Sequence, residues 1–232
     1  MTVYVLTFPG SNCDRDALKA IKYLGYDAQL LWHKDTAIPS DAELIIVPGG
    51  FSWGDYLRCG AMSAKAPIMA AVKQYADAGG YLLGICNGFQ ILCEVGLLDG
   101  ALLRNKNSDF IARPCYLRVE DNPSPWLKKY SANQVVNYPI AHHDGCYWAD
   151  DATLKQLEDN GQVLFRYCDA QGHVNDDTNP NGAANNIAGI RNKAGNVVGM
   201  MPHPERNVEQ LISWGVLSGS GAGLFQSVLG AK

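Results

Sequence analysis

A single cysteine, Cys86, stands between two glycines in the stretch GICNG, residues 84–88. The pattern G-x-C-x-G has the form of a nucleophile elbow, in which the nucleophile lies on a sharp strand-to-helix turn. The glycines fit this interpretation, because such a turn brings neighbouring backbone close to positions 84 and 88. The positive end of the following helix dipole would lower the thiol pKa, so we expect a reactive thiolate. The alternative is a buried cysteine beside incidental glycines.

A base for this thiol is offered by the stretch MMPHPER, residues 200–206. Prolines follow Met201 and His203, which favours extended backbone at both residues. Residues i and i+2 of an extended chain project to the same side, so His203 and Glu205 are predicted to lie together. The carboxylate would fix the imidazole tautomer and leave the other ring nitrogen for the thiol. Taken alone, this tripeptide could equally form an exposed ion pair.

A third stretch, VPGGFSWGDYLRCGA at residues 47–61, places Gly49 and Gly50 directly after an apolar run. A flexible loop at this point could aim backbone N–H groups at an oxyanion, and such donors contribute on the order of 3 kcal/mol to a transition state. The alternative is an ordinary glycine-rich turn between a strand and a helix.

The elements that must position these residues alternate between short apolar runs and amphipathic segments. Ser11 and Asp14 have the spacing of a capping box, and Gly25 is predicted to end the first helix. This alternation is typical of parallel strands joined by helices, whose carboxyl ends bind ligands. The predicted strands are 2–8, 28–32, 44–50 and 81–85, and the helices lie within 9–26 and 65–80.

Beyond about residue 100 the pattern indicates strands of a more antiparallel kind. The predicted strands are 115–120, 134–145, 162–169, 186–190 and 196–203, with a long polar loop at 175–186 and a final helix at 221–229. No repeat or linker is evident. The prediction is therefore one α/β domain over 1–232: a largely parallel open sheet with helices on both faces and an additional antiparallel segment.

Composition narrows the class of function. A net charge of −4 argues against nucleic-acid binding, and no apolar run approaches the roughly 20 residues that span a bilayer. The seven cysteines include no CxxC pair, so we expect neither a metal site nor a disulfide framework. Without a basic leader in MTVYVLTFPGSNCDRD, we expect a mature chain that works in the cytoplasm.

Together, and in this order, the three stretches resemble the class I (triad-type) glutamine amidotransferase family. The resemblance rests on Pro48-Gly49-Gly50, on GICNGFQ at 84–90 and on His203-Pro204-Glu205. It implies a flavodoxin-like sheet. The stretches FPGSNCDRD at 8–16 and GGFSWGDYLRCGA at 49–61 are similar to the subfamily that serves purine biosynthesis, rather than GMP, CTP or histidine synthesis.

The resemblance also implies roles for individual residues. Cys86 would attack the side-chain amide of glutamine, His203 would move the protons and Glu205 would hold His203. The backbone N–H groups of Gly50 and Asn87 would form the oxyanion hole. The residues expected to contact glutamine are Gly49, Gln90 and His142.

One segment departs from the subfamily pattern. Related chains generally read AHGEG where this chain reads AHHDG, residues 141–145. His143 therefore replaces a glycine and Asp144 a glutamate, which puts the local backbone shape in question. His142 and His143 are also competing candidates for the base, ranked below His203 because neither has a carboxylate stiffly placed two residues away.

As a member of this subfamily, the chain would hydrolyse L-glutamine to glutamate and ammonia and hold no cofactor itself. ATP and magnesium would bind a separate synthetase subunit, which converts formylglycinamide ribonucleotide to formylglycinamidine ribonucleotide, and a small third subunit would bridge the two. The predicted docking surface is Ser52–Cys59 with Ser11–Arg15. The alternatives are a glutaminase of another pathway, a related cysteine peptidase or deglycase, and a degenerate domain that only binds.

Overall fold

The computed structural model describes residues 2–56, 58–209 and 220–230. Within these ranges the chain forms eleven β-strands and five α-helices. The strands are β1 (Thr2–Thr7), β2 (Asp27–Trp32), β3 (Ala42–Val47), β4 (Tyr81–Ile85), β5 (Ala101–Leu103), β6 (Ile111–Val119), β7 (Val135–His142), β8 (Cys146–Trp148), β9 (Val163–Cys168), β10 (Ile187–Arg191) and β11 (Val197–Met200). The helices are α1 (Asp14–Tyr23), α2 (Ile68–Asp77), α3 (Asn87–Glu94), α4 (Asp151–Asp159) and α5 (Ala222–Leu229).

Nine of these strands form one sheet in the order β2-β1-β3-β4-β11-β10-β9-β6-β7, and β5 pairs separately with β8. The first five strands in this order are parallel. The strands that follow, from β10 to β7, pair in antiparallel fashion. The predicted α/β class, with a parallel sheet and an additional antiparallel segment, is confirmed.

The parallel strands are apolar along most of their length because the sheet is buried there. In β3 the last four residues, Leu44 to Val47, are buried, and every residue of β11 is buried. A strand covered on both faces has no solvent side, so alternation of polar and apolar residues disappears. This continuous apolar character made the central strands predictable.

The start of α1 differs from the prediction. Its N-cap is Cys13, which makes no side-chain capping bond, so the predicted capping box is wrong. Ser11 Oγ instead accepts a hydrogen bond from Phe8 N at 3.1 Å, and Asp14 Oδ2 accepts one from Thr7 Oγ1 at 3.1 Å. Both side chains therefore tie the helix entrance to the end of β1. The predicted stop at Gly25 is confirmed by its φ of 85° just after the helix.

Three elements were missed because their sequence signals are weak. Helix α4 buries only Leu157, and its N-cap Asp150 accepts a hydrogen bond from Thr153 N. Strands β5 and β8 have three residues each. No helix among the described residues has the length and apolar character needed to cross a membrane. That all 232 residues form one domain stays a prediction.

Candidate active site

Three neighbouring parallel strands bring the segments that carry Gly49, Cys86 and His203 to one edge of the sheet. β4 lies between β3 and β11, with Val47 opposite Gly84 and Ile85 opposite Met200. The carboxyl ends of these strands therefore meet, and parallel sheets bind ligands at that edge. The segment after each strand carries one part of the site.

Cys86 occupies a strained turn between β4 and α3. Its backbone has φ 51° and ψ −106°, a conformation that costs a non-glycine residue on the order of 1–3 kcal/mol. The turn is held by a hydrogen bond from Cys86 N to Met200 O at 2.7 Å. This is the geometry of a nucleophile elbow, and the sheet on one side and the helix on the other hold it in place.

The two glycines of the motif are required by close backbone approach. A β-carbon at Gly84 would lie 2.7 Å from Gly88 O. A β-carbon at Gly88 would overlap the carbonyl group of Val47. The helix can approach β3 and β4 this closely only without side chains at these positions, which confirms the predicted reason for the glycines.

His203 and Glu205 form a fully buried pair. His203 Nδ1 lies 2.6 Å from Glu205 Oε1, and their side chains are 1% and 0% exposed. The predicted pairing is confirmed, but the predicted extended backbone is only partly right. His203 has φ −104° and ψ 86°, whereas Pro204–Asn207 forms a 3-10 turn. The carboxylate reaches the imidazole from this turn, while His203 N donates to Pro139 O at 2.9 Å.

Gly49 lies between the imidazole and the cysteine. A β-carbon there would lie 2.8 Å from His203 Cε1 and 3.4 Å from Cys86 Cβ. The ring and the nucleophile therefore converge on one residue that has no side chain to separate them. His203 Nε2 is buried and has no hydrogen-bond partner among the described residues, so it can accept a proton. Cys86 Sγ lies 3.7 Å from Ala141 O.

The Cys86 thiol is neutral in this closed site. Burial raises its pKa, and the neighbouring Cys13 and Glu205 raise it further. The Asn87 backbone N–H, at the start of α3, and Arg206 act in the opposite direction. The predicted net lowering of the pKa by the helix is therefore wrong, because desolvation of the thiolate outweighs the helix dipole. A buried, protonated thiol needs a base when it attacks.

Gly50 follows β3 and Asn87 follows Cys86, so both lie at the same edge of the sheet as the elbow. Asn87 is the first residue of α3, and its N–H is directed at the Cys86 sulfur. Gly50 has φ 134° and pairs with Ser11 through an isolated bridge, which anchors the loop after β3. Their role as an oxyanion hole stays a prediction.

Gln90 connects the elbow helix to residues 141–145. Its Nε2 donates to Asp144 O at 2.6 Å, and its Oε1 accepts from Asn87 Nδ2 at 2.8 Å. β7 lies five positions from β4 in the sheet order, yet the Ala141 carbonyl faces Cys86. The antiparallel half of the sheet must therefore bend over the elbow, and Gln90 ties the two together.

Asn105 sets the tautomer of His142. Asn105 Nδ2 donates to the carbonyls of Asp109 and His142 at 2.8 and 2.9 Å, which fixes the orientation of its amide. Asn105 Oδ1 accepts from Gly145 N and faces His142 Nδ1, both at 3.0 Å. His142 Nδ1 must therefore carry the proton. The buried Nε2 is then a bare acceptor, without a partner among the described residues.

These contacts give His142 a different acid–base character from His203. Burial, with a smaller effect of His203, lowers the pKa of His142 from 6.5 to about 4. Its Nδ1 faces a neutral amide rather than a carboxylate, so no negative charge stabilises an imidazolium at this contact. The geometry favours His203 as the base and leaves His142 as a neutral acceptor.

His143 points to a different environment. Its Nε2 lies 2.7 Å from Ser108 O and 3.4 Å from Arg104 Nη1. Neither His143 nor Asp144 has a positive φ, so the histidine in the place of a glycine needs no strained backbone. The departure at 141–145 is compatible with the site.

Two residues near the site were missed from the sequence. Asn105 lies in a polar stretch that contains no recognisable motif, and only the folded chain brings it to His142. Arg206 directly follows the His-Pro-Glu tripeptide and contacts Cys13 and Asp16, a position that the motif itself could have drawn attention to. In the described part of the chain, no group of three His, Cys, Asp or Glu side chains is arranged to hold a metal ion.

A thiol on a strained strand-to-helix turn, next to an imidazole held by a buried carboxylate, can transfer an acyl group through a thioester. Residues 1–223 match the family model described as "CobB/CobQ-like glutamine amidotransferase domain". The chain therefore belongs to the glutamine amidotransferase family. It is accordingly an enzyme, and the class predicted from its motifs is confirmed.

Several relatives match the whole chain. A protein of Rhodopseudomonas palustris (strain HaA2), named "Phosphoribosylformylglycinamidine synthase subunit PurQ", is 52% identical over 97% of this chain and 95% of its own length. The protein of the same name from Thermosynechococcus vestitus is 55% identical over 99% and 96%. A chain in the "Structure of PurLQS from Thermotoga maritima" superposes with a TM-score of 0.84 at 41% identity, covering 98% of this chain and 97% of that one.

The neutral His142 predicts a pH dependence of stability. Because its pKa falls from 6.5 in the unfolded chain to about 4 in the folded protein, acid favours the unfolded state. The free energy of unfolding that depends on a neutral His142 is fully present above about pH 6.5. It is lost as the pH falls towards 4, and the total loss is on the order of 3 kcal/mol. The difference in free energy of unfolding between wild type and His142→Gln should therefore shrink between pH 7.5 and pH 4.5 in urea titrations.

The exposed His173 provides the matched control, because His173→Gln leaves the buried network intact. A His142→Gln difference of equal size at both pH values would contradict a neutral, desolvated imidazole at position 142.

Proposed function

We propose that this protein is the glutaminase subunit of a phosphoribosylformylglycinamidine synthase. It hydrolyses L-glutamine to glutamate and ammonia, and a synthetase subunit uses the ammonia and ATP to convert formylglycinamide ribonucleotide to formylglycinamidine ribonucleotide. Relatives that carry this name are 52% and 55% identical across nearly the whole chain, which supports this pathway over other amidotransferase pathways. Family membership likewise favours a glutaminase over the peptidase or deglycase alternative.

The observation that carries the chemistry is the convergence of Cys86 and the buried His203–Glu205 pair around Gly49. In the proposed first step, the sulfur of Cys86 bonds to the side-chain amide carbon of glutamine as its proton moves to His203 Nε2. Negative charge develops on the amide oxygen, and the N–H groups of Gly50 and Asn87 stabilise it. Glu205 keeps the proton on Nδ1 and stabilises the imidazolium that forms.

The next steps reverse the proton movements. The carbon–nitrogen bond breaks, and His203 gives its proton to the leaving nitrogen, so that ammonia departs and a glutamyl thioester remains. His203 then takes a proton from a water molecule, which attacks the thioester. Cleavage of the carbon–sulfur bond returns the proton to sulfur and releases glutamate. A neutral thiol at the start and the end of this cycle fits the raised pKa of Cys86.

Delivery of the ammonia requires a partner. Ammonia in bulk water at neutral pH is mostly protonated, and ammonium is not a nucleophile, so the synthetase must cover the site mouth. We place ATP and magnesium on that subunit, because this chain has no G-x-x-x-x-G-K-[ST] phosphate loop. A small bridging subunit completes the proposed assembly. The seven unpaired cysteines fit a reducing compartment, and we propose the cytoplasm as the site of the reaction.

The rim beside Gly50 offers a docking surface for the synthetase. Phe51 and Phe110 are 43% and 49% exposed, with ring centroids 6.3 Å apart, and Tyr56 is 73% exposed. Exposed aromatic side chains that cluster beside a site are typical of protein interfaces. The loop that carries Tyr56 is held by Ser52 N, which donates to Asn87 Oδ1 at 3.3 Å. Tyr56 supports the predicted surface at Ser52–Cys59, of which residue 57 lies outside the described residues, and Phe51 and Phe110 extend it. The other predicted segment, Ser11–Arg15, stays a prediction.

Glutamine-dependent synthesis tests the proposed function. With the synthetase, ATP, magnesium and formylglycinamide ribonucleotide, Cys86→Ala should lower the glutamine-dependent rate by at least about 10³-fold, because the covalent route is lost. The rate with an ammonium salt should remain unchanged. Cys93→Ala, on the same helix, is the matched control and should retain both activities. Persistent glutamine-dependent product in Cys86→Ala, or no product from this acceptor in the wild type, would contradict the proposal.

Removal of Tyr56 tests the docking surface. Tyr56→Ala should leave the glutaminase activity of the isolated chain unchanged and weaken binding of the synthetase about tenfold, because tyrosines are enriched among the few interface residues whose truncation costs more than about 1 kcal/mol. Tyr23→Ala removes a similarly exposed tyrosine at the far end of α1 and should bind normally. Titration calorimetry or stimulation of glutaminase activity by the synthetase provides the measurement. Equal binding by both variants would show that the synthetase does not dock on this rim.

A further inference from the structure

Arg206 connects the His-Pro-Glu turn to the first turn of α1. Its Nε and Nη2 donate to Asp16 Oδ2 at 3.1 and 3.0 Å, and Nη2 also donates to Cys13 Sγ at 3.1 Å. The side chains of Arg206 and Asp16 are 33% and 40% exposed, so the ion pair is only partly shielded from water. No step of the proposed chemistry uses Arg206, Cys13 or Asp16.

We propose that Arg206 is a positioning residue for the glutaminase reaction: it fixes the turn that carries Glu205 and supplies a permanent positive charge beside the buried carboxylate and Cys86. The proposal rests on the roles assigned to Cys86, His203 and Glu205 under the proposed function. It adds a residue to the machinery that neither touches glutamine nor exchanges a proton.

The negative charge of Glu205 is incompletely compensated within the buried pair. Its side chain is fully buried, and only Oε1 has a partner, the imidazole of His203. Oε2 is buried without a hydrogen-bond partner among the described residues. A buried carboxylate is costly unless charge or hydrogen bonds compensate it. Arg206 is the next residue in the chain, and its charge and that of Glu205 attract each other.

The positive charge of Arg206 also acts on the nucleophile. Burial alone would lower the pKa of Arg206, but neighbouring acidic groups, among them the carboxylates of Glu205 and Asp16, raise it above its usual value. In return, Arg206 is one of two groups that lower the pKa of Cys86. One guanidinium therefore favours both negative charges of the working site, the carboxylate and the transient thiolate.

Cys13 holds the guanidinium without neutralising it. Burial raises the pKa of Cys13 to about 12, despite the opposing effect of Arg206, so the thiol stays uncharged. Its sulfur would lie 3.2 Å from a β-carbon on Gly49, the residue on which His203 and Cys86 also converge. A neutral sulfur acceptor at this point orients Arg206 and leaves its charge available to the site.

The other charged groups around Arg206 define how the test must be designed. Asp14 and Asp16 on α1 lie on the Cys13 side. The cavity that Arg206 and Glu205 line also contains Lys19 of α1, Arg113 of β6 and Glu209. Among the described ion pairs, Glu205 has only His203 as a partner, and Arg206 has only Asp16. Asp16 can therefore be neutralised separately, with the opposite sign of charge change.

The test compares pH profiles of glutaminase kcat/KM for wild type, Arg206→Met, Arg206→Lys and Asp16→Asn, each checked by thermal unfolding. Loss of a positive charge makes protonation of neighbouring groups easier, so both limbs of the Arg206→Met profile should move to higher pH. Loss of a negative charge does the reverse, so the Asp16→Asn limbs should move to lower pH. At neutral pH, kcat of Arg206→Met should fall about tenfold with KM nearly unchanged, and Arg206→Lys should recover most of it.

A purely structural tie would give a different result. If Arg206→Met and Asp16→Asn lose activity together, with profiles that stay in place or move in the same direction, the proposal is overturned. Failure of Arg206→Lys to restore the wild-type profile would also overturn it. Cys86→Ala in the same series tests the underlying function separately: full activity in that variant would refute the proposed chemistry and not merely the role of Arg206.

Discussion

The hydrogen bond between His203 Nδ1 and Glu205 Oε1, 2.6 Å long and closed to solvent, is the interaction on which the rest of the site depends. It fixes the tautomer that leaves Nε2 free, and only a carboxylate at this point can stabilise the imidazolium formed when the thiol gives up its proton. His142, held by a neutral amide, shows the contrast within the same site. The 3-10 turn Pro204–Asn207 and its contacts to β7 and α1 keep this pair in place.

Burial has two opposing effects on this chemistry. It keeps bulk water away from the reacting groups and strengthens each electrostatic interaction, yet it also disfavours the Cys86 thiolate. Fixed groups rather than solvent offset a part of this cost. The Asn87 N–H and the charge of Arg206 both lower the pKa of the thiol, although burial outweighs them. The strained backbone of Cys86 persists because β4, β11 and α3 together determine it.

Sequence reasoning reached the parts of the site that local signals specify. Apolar runs identified β3, β4 and β11, and the motifs after them placed Gly49, Cys86 and His203 at one sheet edge. The sequence-based prediction failed where contacts between distant segments determine the structure of the site. Nothing in the sequence indicates that β7 bends back to bring Ala141 O to the thiol, or that Asn105 fixes His142. The sign of the Cys86 pKa shift was also wrong, because desolvation depends on the complete fold.

Detection of the covalent intermediate is the most direct test of the proposed chemistry. This intermediate forms only when a thiol, a base and the substrate amide are correctly placed relative to one another. Protein mixed with glutamine and its synthetase is quenched in acid during turnover, and the peptide that contains Cys86 is examined by mass spectrometry. We expect this peptide to gain one glutamyl group, with slower formation in Glu205→Gln and none in Cys86→Ala. Turnover without such an adduct in the wild type, or a glutamyl group on a different cysteine, would contradict the account.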